Sequence, residues 1–304
     1  MDEMKLSDSE LDARLRVLSL KALPYQILAL VCFVAASISV ILGGILDAKI
    51  AGVLGFLGSC AVFAAVSVRG NVHLSKMKRL VSDNITRNAL EEAFSDITYD
   101  PKRCISRDLL EKARYRKDWH IYRGSDYISG KYKGVDFLFS DINLESGGKN
   151  SRTVFFGQWL VVALGREIPS PVVVSERWRD EKVKSGALGD RQDISDIQTE
   201  NEAFNEQFII KTGDAQMAFY ILTPHFMEYI VSADKVANGK THLCFTGNQV
   251  HIALHTRRDF FEVVTYKDLA KCRAKIKCEV KYITDFIDEL FHNEWLFKPQ
   301  SSNS

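Results

Sequence analysis

Four histidine and cysteine side chains near the end of the sequence have the residue types and spacing of a metal site. They are His242, Cys244, His251 and His255. If Gly247-Asn248 forms a two-residue turn, Cys244 is paired with His251 across a hairpin. All four side chains then share one face, and imidazole with thiolate is a ligand set suited to zinc. The alternative interpretation is a solvated polar face opposite the core.

Other motifs of catalysis or cofactor binding are not recognisable. The run Gly147-Gly148-Lys149-Asn150-Ser151 lacks the first glycine and the Lys-Ser/Thr pair of a phosphate-binding loop. There is no Gly-x-Ser-x-Gly elbow and no His-Glu-x-x-His pair. We interpret Asp285, Asp288 and Glu289 as the polar face of a helix. We therefore predict no cofactor and assign no catalytic residue, which favours a non-enzymatic protein without deciding the question.

A sheet of antiparallel strands must position the four candidate ligands. Alternating apolar and polar residues predict strands at 126–132, 135–144 and 153–164, the last two joined by a glycine-containing turn. Residues 241–245 and 249–255 predict a second hairpin. With strands in the middle and helices around them, residues 119–298 predict an α+β domain with a mainly antiparallel sheet.

Helical periodicity flanks these strands. Residues 267–292 predict a long C-terminal helix with one apolar face, and residues 69–118 predict a helical connector whose first helix runs to about Ile97. The charge-rich residues 177–201 predict an exposed loop or disordered excursion. Within residues 1–26, Ser7 and Glu10 have the spacing of a capping box, and residues 9–23 predict an amphipathic helix that lies along the membrane surface or on the soluble domain.

Two long apolar runs precede the sheet. Residues 27–46 contain no charged residue, and residues 50–68 are also uncharged and nearly as long. About 20 helical residues match a hydrocarbon core of roughly 30 Å, and a helix satisfies its own backbone groups in lipid. We predict a two-helix transmembrane hairpin over residues 27–68. The alternative is a helical hairpin buried in a soluble core.

Small residues recur at four-residue spacing in both runs. They are Ala35, Ser39 and Gly43 in the first run and Ala51, Gly55 and Ser59 in the second. Stripes of this kind let membrane helices approach closely. We predict that the two stripes face each other within one hairpin. The alternatives are that they face another copy of the chain, or that small residues are simply common in such helices.

Charge predicts the orientation and limits the partners. Lys and Arg flank both runs while the turn carries only Lys49 beside Asp47, which predicts that both termini are cytoplasmic. A net charge of +1 gives no basis for nucleic-acid binding. Six scattered cysteines fit a reducing compartment and not a disulfide framework. We expect the lipid bilayer, and a protein partner or a second copy of the chain, as binding partners.

Several motifs are similar to those of a known family. They are Phe155-Phe156-Gly157-Gln158-Trp159, Phe208, Ile210, Asp214, the run from Ala218 to Met227, Phe245, Ile252-Ala253 and Phe260-Phe261-Glu262. Together with the two-helix anchor they resemble an uncharacterised family of bacterial membrane proteins, a domain of unknown function, from the anchor to Glu262. The resemblance implies a bacterial cytoplasmic membrane and a cytoplasmic domain, and it supplies no catalytic residue.

These features predict a multi-pass protein of the inner membrane whose cytoplasmic α+β domain binds another protein. The alternatives are a hydrolase acting at the membrane surface and a domain that binds lipid or another amphiphile.

Overall fold

The computed structural model describes residues 7–45, 49–177, 195–261 and 268–297. These residues form two compact units, one of residues 7–88 with 268–275 and one of residues 89–261 with 276–297. The first unit contains a pair of apolar helices, and the second contains an antiparallel sheet with flanking helices. The predicted α+β fold class is confirmed.

Two long helices form the N-terminal hairpin, α1 at Asp8–Ile45 and α2 at Lys49–Val81. The predicted capping box begins α1, because the Ser7 N–H donates to Glu10 Oε2 at 3.0 Å and the Glu10 N–H donates to Ser7 Oγ at 3.4 Å. Pro24 lies inside α1. The amphipathic segment and the first apolar run are therefore one continuous helix across the predicted boundary at residue 26.

A π-helical turn at Ser82–Thr86 and a short helix α3 at Arg87–Ala93 follow α2. The prediction of a helix to about Ile97 is wrong, because Ser95–Asp100 is strand β1 and pairs with Ile121–Tyr132, strand β2. The β-branched and aromatic residues of β1 suit a strand that has a partner to pair with.

Seven strands among the described residues form one sheet. After β1 and β2 come β3 at Val135–Glu145, β4 at Thr153–Glu176, β5 at Ser195–Ile197, β6 at Phe208–Thr212 and β7 at Lys240–His255. Their order is β1-β2-β3-β4-β6-β5, and β7 also pairs with β4. The predicted hairpin of residues 135–144 and 153–164 is present as β3 and β4. Most of the predicted loop at 177–201 lies outside the described residues, and the part that is described contains β5.

The second predicted hairpin is wrong. Residues 240–255 are the single strand β7, which is antiparallel to β4, with Cys244 opposite Val173 and His251 opposite Val161. Gly247 has a φ of 56° and lies opposite Ile168, where the register shifts. The glycine therefore produces an irregularity within a continuous ladder and not a chain reversal.

Helices cover the sheet. They are α4 at Arg107–Lys112, α5 at Glu202–Gln207, α6 at Ala215–Ile221, α7 at Pro224–Ala237, α8 at Leu269–Phe291 and α9 at Glu294–Phe297. Asp214 caps α6 by accepting from the Met217 N–H at 3.0 Å, and Thr223 caps α7 by accepting from the Phe226 N–H at 3.3 Å. Helix α8 corresponds to the predicted C-terminal helix.

Both faces of the sheet carry a buried core. On one face, side chains from α4 and from residues 113–119, the segment after it, pack on the strands. This cluster includes Ile105, Leu110, Ala113, Trp119, Leu144, Phe155, Trp159, Val161, Val173 and Cys244. On the other face, the ring of Phe226 in α7 lies 6.2 Å from that of Phe245 and 6.4 Å from that of Phe286 in α8. Each fully buried leucine, isoleucine, valine or phenylalanine side chain in these cores stabilises the domain by about 1.5–3 kcal/mol.

Candidate binding cleft

The four predicted metal ligands are separated along β7. His242 Nδ1 lies 2.8 Å from Ser175 Oγ and its Nε2 lies 2.9 Å from the carbonyl oxygen of Ala113. The Cys244 thiol lies 3.9 Å from the carbonyl oxygen of Lys112. Because β7 is one strand, with about 3.3 Å between successive residues, the structure does not bring the four together as a zinc site requires.

The two remaining members also have partners elsewhere. His251 Nδ1 accepts from Trp159 Nε1 at 3.4 Å, and His255 Nδ1 accepts from the Phe156 N–H at 2.9 Å. Cys244 and His251 are 0% exposed and His242 is 5% exposed. This face of β7 is therefore buried, which also excludes the alternative of a solvated polar face for these three residues.

Ser175 and His242 have the hydrogen-bond order of a nucleophile and a general base. With Nε2 protonated, His242 donates to Ala113 and its Nδ1 accepts from the serine hydroxyl. However, burial lowers the pKa of His242 to about 4, against the opposing effect of the hydrogen bond to Ala113. A base that must form imidazolium is disfavoured in such surroundings. The geometry therefore favours a structural role for this pair.

The small residues of the apolar hairpin are only partly arranged as the sequence predicts. A Cβ atom added at Gly55 would lie 3.2 Å from Ser39 Cβ, so these two positions face each other between α1 and α2. Gly43 faces Gly52, since a Cβ atom on Gly52 would lie 2.9 Å from Gly43 Cα. Ala51 is exposed. Ala35 and Ser59 are half-buried. The role of these residues in lipid stays a prediction.

A cleft of about 380 Å³ lies where α4 and the segment after it cross the sheet. Its apolar lining comes from Leu110, Tyr115, Trp119, Leu144 and Trp159. The Tyr115 ring meets the Trp159 ring edge to face at 5.7 Å, and it meets the His242 ring in the same way at 5.0 Å. The buried cluster beneath α4 thus holds the aromatic rings in fixed orientations.

Charged side chains line the rest of the cleft. They are Arg107, Arg116, Lys117 and Glu111. The Arg107 guanidinium lies 4.7 Å from the centre of the Trp119 ring, and its Nε donates to Glu111 at 2.9 Å. The lining carries three cations and one carboxylate, and Asp118 beside it pairs with Arg116, so the charge that remains is positive and favours anionic groups.

Asp118 holds the end of this segment in place. Arg116 binds it through two hydrogen bonds of 2.9 and 2.7 Å, and Arg152 adds a third at 3.1 Å. The hydrogen bonds from Arg116 are the main cause of a lowered pKa at Asp118. The carboxylate is therefore ionised at neutral pH and fixes Arg116 at the cleft.

This cleft is not predicted from the sequence, because residues 69–118 are interpreted there as a helical connector and the predicted α+β domain begins at Trp119. The local signal is the run Arg114-Tyr115-Arg116-Lys117-Asp118-Trp119, in which three basic and two aromatic residues lie within six positions. Such a run is typical of a surface that recognises anionic ligands with an apolar part.

The fold and the cleft define the class of this protein. A pair of apolar helices is followed in the sequence by an α+β domain, and that domain carries a cleft lined by cationic and aromatic side chains. Residues 153–291 match the model of a family described as "Protein of unknown function (DUF3137)". This match confirms the resemblance to an uncharacterised family, over a segment that begins after the anchor and continues past Glu262.

Individual proteins show only weak similarity to the chain. No curated protein matches the chain significantly. A solved structure, described as the crystal structure of the mycobacterial trehalose monomycolate transport factor A, TtfA, is similar at 12% sequence identity with a TM-score of 0.40. The similarity covers 72% of this chain and 97% of that chain.

Proposed function

We propose that the chain is a multi-pass protein of a bacterial cytoplasmic membrane, with both termini cytoplasmic. Exposed apolar side chains around α1 and α2 support this anchoring. Phe33 is 64% exposed and Leu57 is 56% exposed. Of the most apolar 18-residue stretch of each helix, only 17% is buried in the first helix and 0% in the second. Lipid accommodates an apolar surface of this extent, whereas water does not.

We further propose that the α+β domain binds an acidic, aromatic-containing segment of a partner protein in the cleft. The observation that carries this proposal is that one cleft combines an aromatic floor, made by Tyr115, Trp119 and Trp159, with a cationic rim. The rim consists of Arg107, Arg116 and Lys117. A ring from the partner packs against Tyr115, which is half-buried and rests on the buried Trp159, and the partner's carboxylates pair with the cations of the rim. An anionic amphiphile has the same two chemical parts and is the alternative ligand.

Photo-crosslinking tests the proposal in the full-length protein within its own membrane. We place p-benzoylphenylalanine at Glu111, which lines the cleft with a side chain that is 54% exposed, so that the three rim cations are kept, and we expect an adduct with one reproducible protein, whose attached peptide contains Asp or Glu. Arg107→Glu reverses a rim charge on a side chain that is 51% exposed, and we expect it to lower the adduct yield by about fivefold or more.

The control is the same probe at Val236, which is 87% exposed on α7 and is not part of the cleft lining. This position should give no adduct with that protein. Adducts with lipid alone would overturn the proposal in favour of the amphiphile. A protein adduct whose yield is unchanged by Arg107→Glu would overturn the role of the cationic rim.

A further inference from the structure

Two histidines and a glutamate meet at a second place on the α+β domain. His225 is in the first turn of α7, Glu289 is in the last turn of α8, and His292 follows α8 directly. His225 Nε2 lies 2.8 Å from Glu289 Oε1, and the two imidazole ring centres are 5.2 Å apart. One possible ligand atom from each of the three residues lies within 4.8 Å of the other two.

Of the three carboxylates near the end of α8, Glu289 is the one that points towards α7. Asp285 binds Lys281, and Asp288 accepts from Lys133 at 2.6 Å. The Glu289 side chain is only 11% exposed and faces His225, whose side chain is 64% exposed. The site is therefore open to solvent on the histidine side and enclosed on the glutamate side.

The chain after α8 is fixed so that His292 stays near the pair. The Asn293 side-chain amide donates to the carbonyl oxygens of Tyr220 and Ile221 at 2.8 and 3.2 Å. The carbonyl groups at the C-terminal end of α8 also carry partial negative charge, which favours a cation at this position.

The donor set fits a divalent transition metal. Imidazole nitrogen and carboxylate oxygen bind Zn²⁺ at about 2.0–2.2 Å, and ligands of one tetrahedral ion are then about 3.3 Å apart. Binding of one ion therefore requires the 2.8 Å distance between His225 Nε2 and Glu289 Oε1 to increase by about half an ångström. It also requires the His292 ring to move towards these two atoms. Both histidines are exposed, so a change of side-chain rotamer suffices.

We propose that His225, Glu289 and His292 bind one divalent transition-metal ion, zinc in the first place, with water completing its coordination. The ion joins the start of α7 to the end of α8. This site is separate from the residues that line the cleft, so it does not depend on the proposed partner binding.

Metal titration of the untagged full-length protein in detergent tests the site. After chelator treatment, we expect Zn²⁺ and Co²⁺ to bind at one ion per chain, with visible Co²⁺ absorption bands of a four- or five-coordinate site. Glu289→Gln and His292→Gln should each weaken binding by about tenfold or more, because each removes a ligand.

The matched control is His120→Gln, which removes another exposed histidine, one that contacts the Ser146 carbonyl oxygen at 2.7 Å. This variant should bind the metal as the wild-type protein does. Circular dichroism of each variant shows whether the fold is retained. The proposal is wrong if the wild-type protein shows no saturable binding, or if folded Glu289→Gln and His292→Gln variants bind as tightly as the His120→Gln control.

Discussion

At the scale of single residues, His242 and His251 on β7 are buried bases. Burial is the main cause that lowers the pKa of His251 to about 3, and the nearby charges of His242 and Lys112 act in the same direction. Each group is therefore neutral in the folded protein at neutral pH. Imidazole in the unfolded chain has a pKa near 6.5, so unfolding allows these side chains to take up protons in mild acid.

We predict that this difference makes the protein less stable as the pH falls. Below about pH 6.5 the unfolded state binds a proton at residue 251 that the folded state excludes, so the free energy of unfolding decreases by about 1.4 kcal/mol per pH unit for this group. His251→Gln should make the pH dependence of stability shallower by about that amount between pH 6 and 4.5. Denaturant unfolding followed by tryptophan fluorescence measures the slope.

The control for this prediction is Val236→Gln, an exposed substitution on α7 that neither adds nor removes a titratable group and should leave the slope unchanged. Asp141 titrates with the opposite sign, because burial raises the pKa of its carboxyl despite a 2.9 Å hydrogen bond from Gln158. Its contribution to stability is present in acid and is lost as the pH rises. Asp141 is common to all variants, so parallel curves for wild type and His251→Gln would contradict the prediction.

Residue chemistry also shows which parts of the candidate sites could be predicted. The predicted hairpin put His242, Cys244 and His251 on one face through cross-strand pairing, which is wrong, because β7 is a single strand with a register shift at Gly247. The sequence pattern does show that His242 and Cys244, two residues apart on a strand, share a face. It could not show that this face is buried, because the covering residues come from α4, more than a hundred positions earlier. His225 and Glu289 are likewise far apart in sequence. Only the short Glu-x-x-His spacing of Glu289 and His292 was visible locally.

At the scale of elements, glycine determines how closely α1 and α2 approach. A Cβ atom at Gly52 would lie 2.9 Å from Gly43 Cα and 3.0 Å from the Ser39 carbonyl oxygen, whereas one at Gly58 would meet nothing within 4 Å. These two glycines of the same helix therefore provide a matched pair, one at the contact and one outside it.

We predict that Gly52→Leu separates the helices and Gly58→Leu does not. With the native Cys32 and Cys60 replaced by alanine, cysteines at positions 39 and 55 should form an intrachain disulfide, because their Cβ atoms lie about 3.2 Å apart. Gly52→Leu should reduce the yield of this disulfide several-fold, and Gly58→Leu should leave it unchanged. Disulfides formed only between chains would show that the stripes face another copy.

Local signals and distant pairing explain which elements were predictable. The caps at Ser7, Asp214 and Thr223 are made with backbone groups only three residues away, so the signal that begins each helix lies in the local sequence. In contrast, Gly247-Asn248 has the composition of a turn, yet β7 continues through it because β4 supplies hydrogen-bond partners on both sides. Ser95–Asp100 is a strand for the same reason, since β2 pairs with it.

At the scale of the whole molecule, the apolar surface of α1 and α2 governs where the protein is found. We predict that Phe33→Arg and Leu57→Arg together reduce membrane insertion, because each charge near the middle of a span costs about 2.5–3.5 kcal/mol. Both side chains are exposed, so the changes do not disturb the contact between the helices. Carbonate extraction of membranes measures the inserted fraction, with Val236→Arg as the control. Wild-type protein in the soluble fraction without detergent would refute the anchoring proposal.

The pairing of β4 with β7 also has a consequence for biosynthesis. Gln158 is bonded in the sheet opposite Leu254, nearly a hundred residues further along the chain. A ribosome adds about 5–20 residues per second, so one edge of β4 waits roughly 5–20 s for its neighbour to emerge. During that interval the nascent chain presents an unprotected, valine-rich β edge, the kind of surface at which chains aggregate or recruit chaperones.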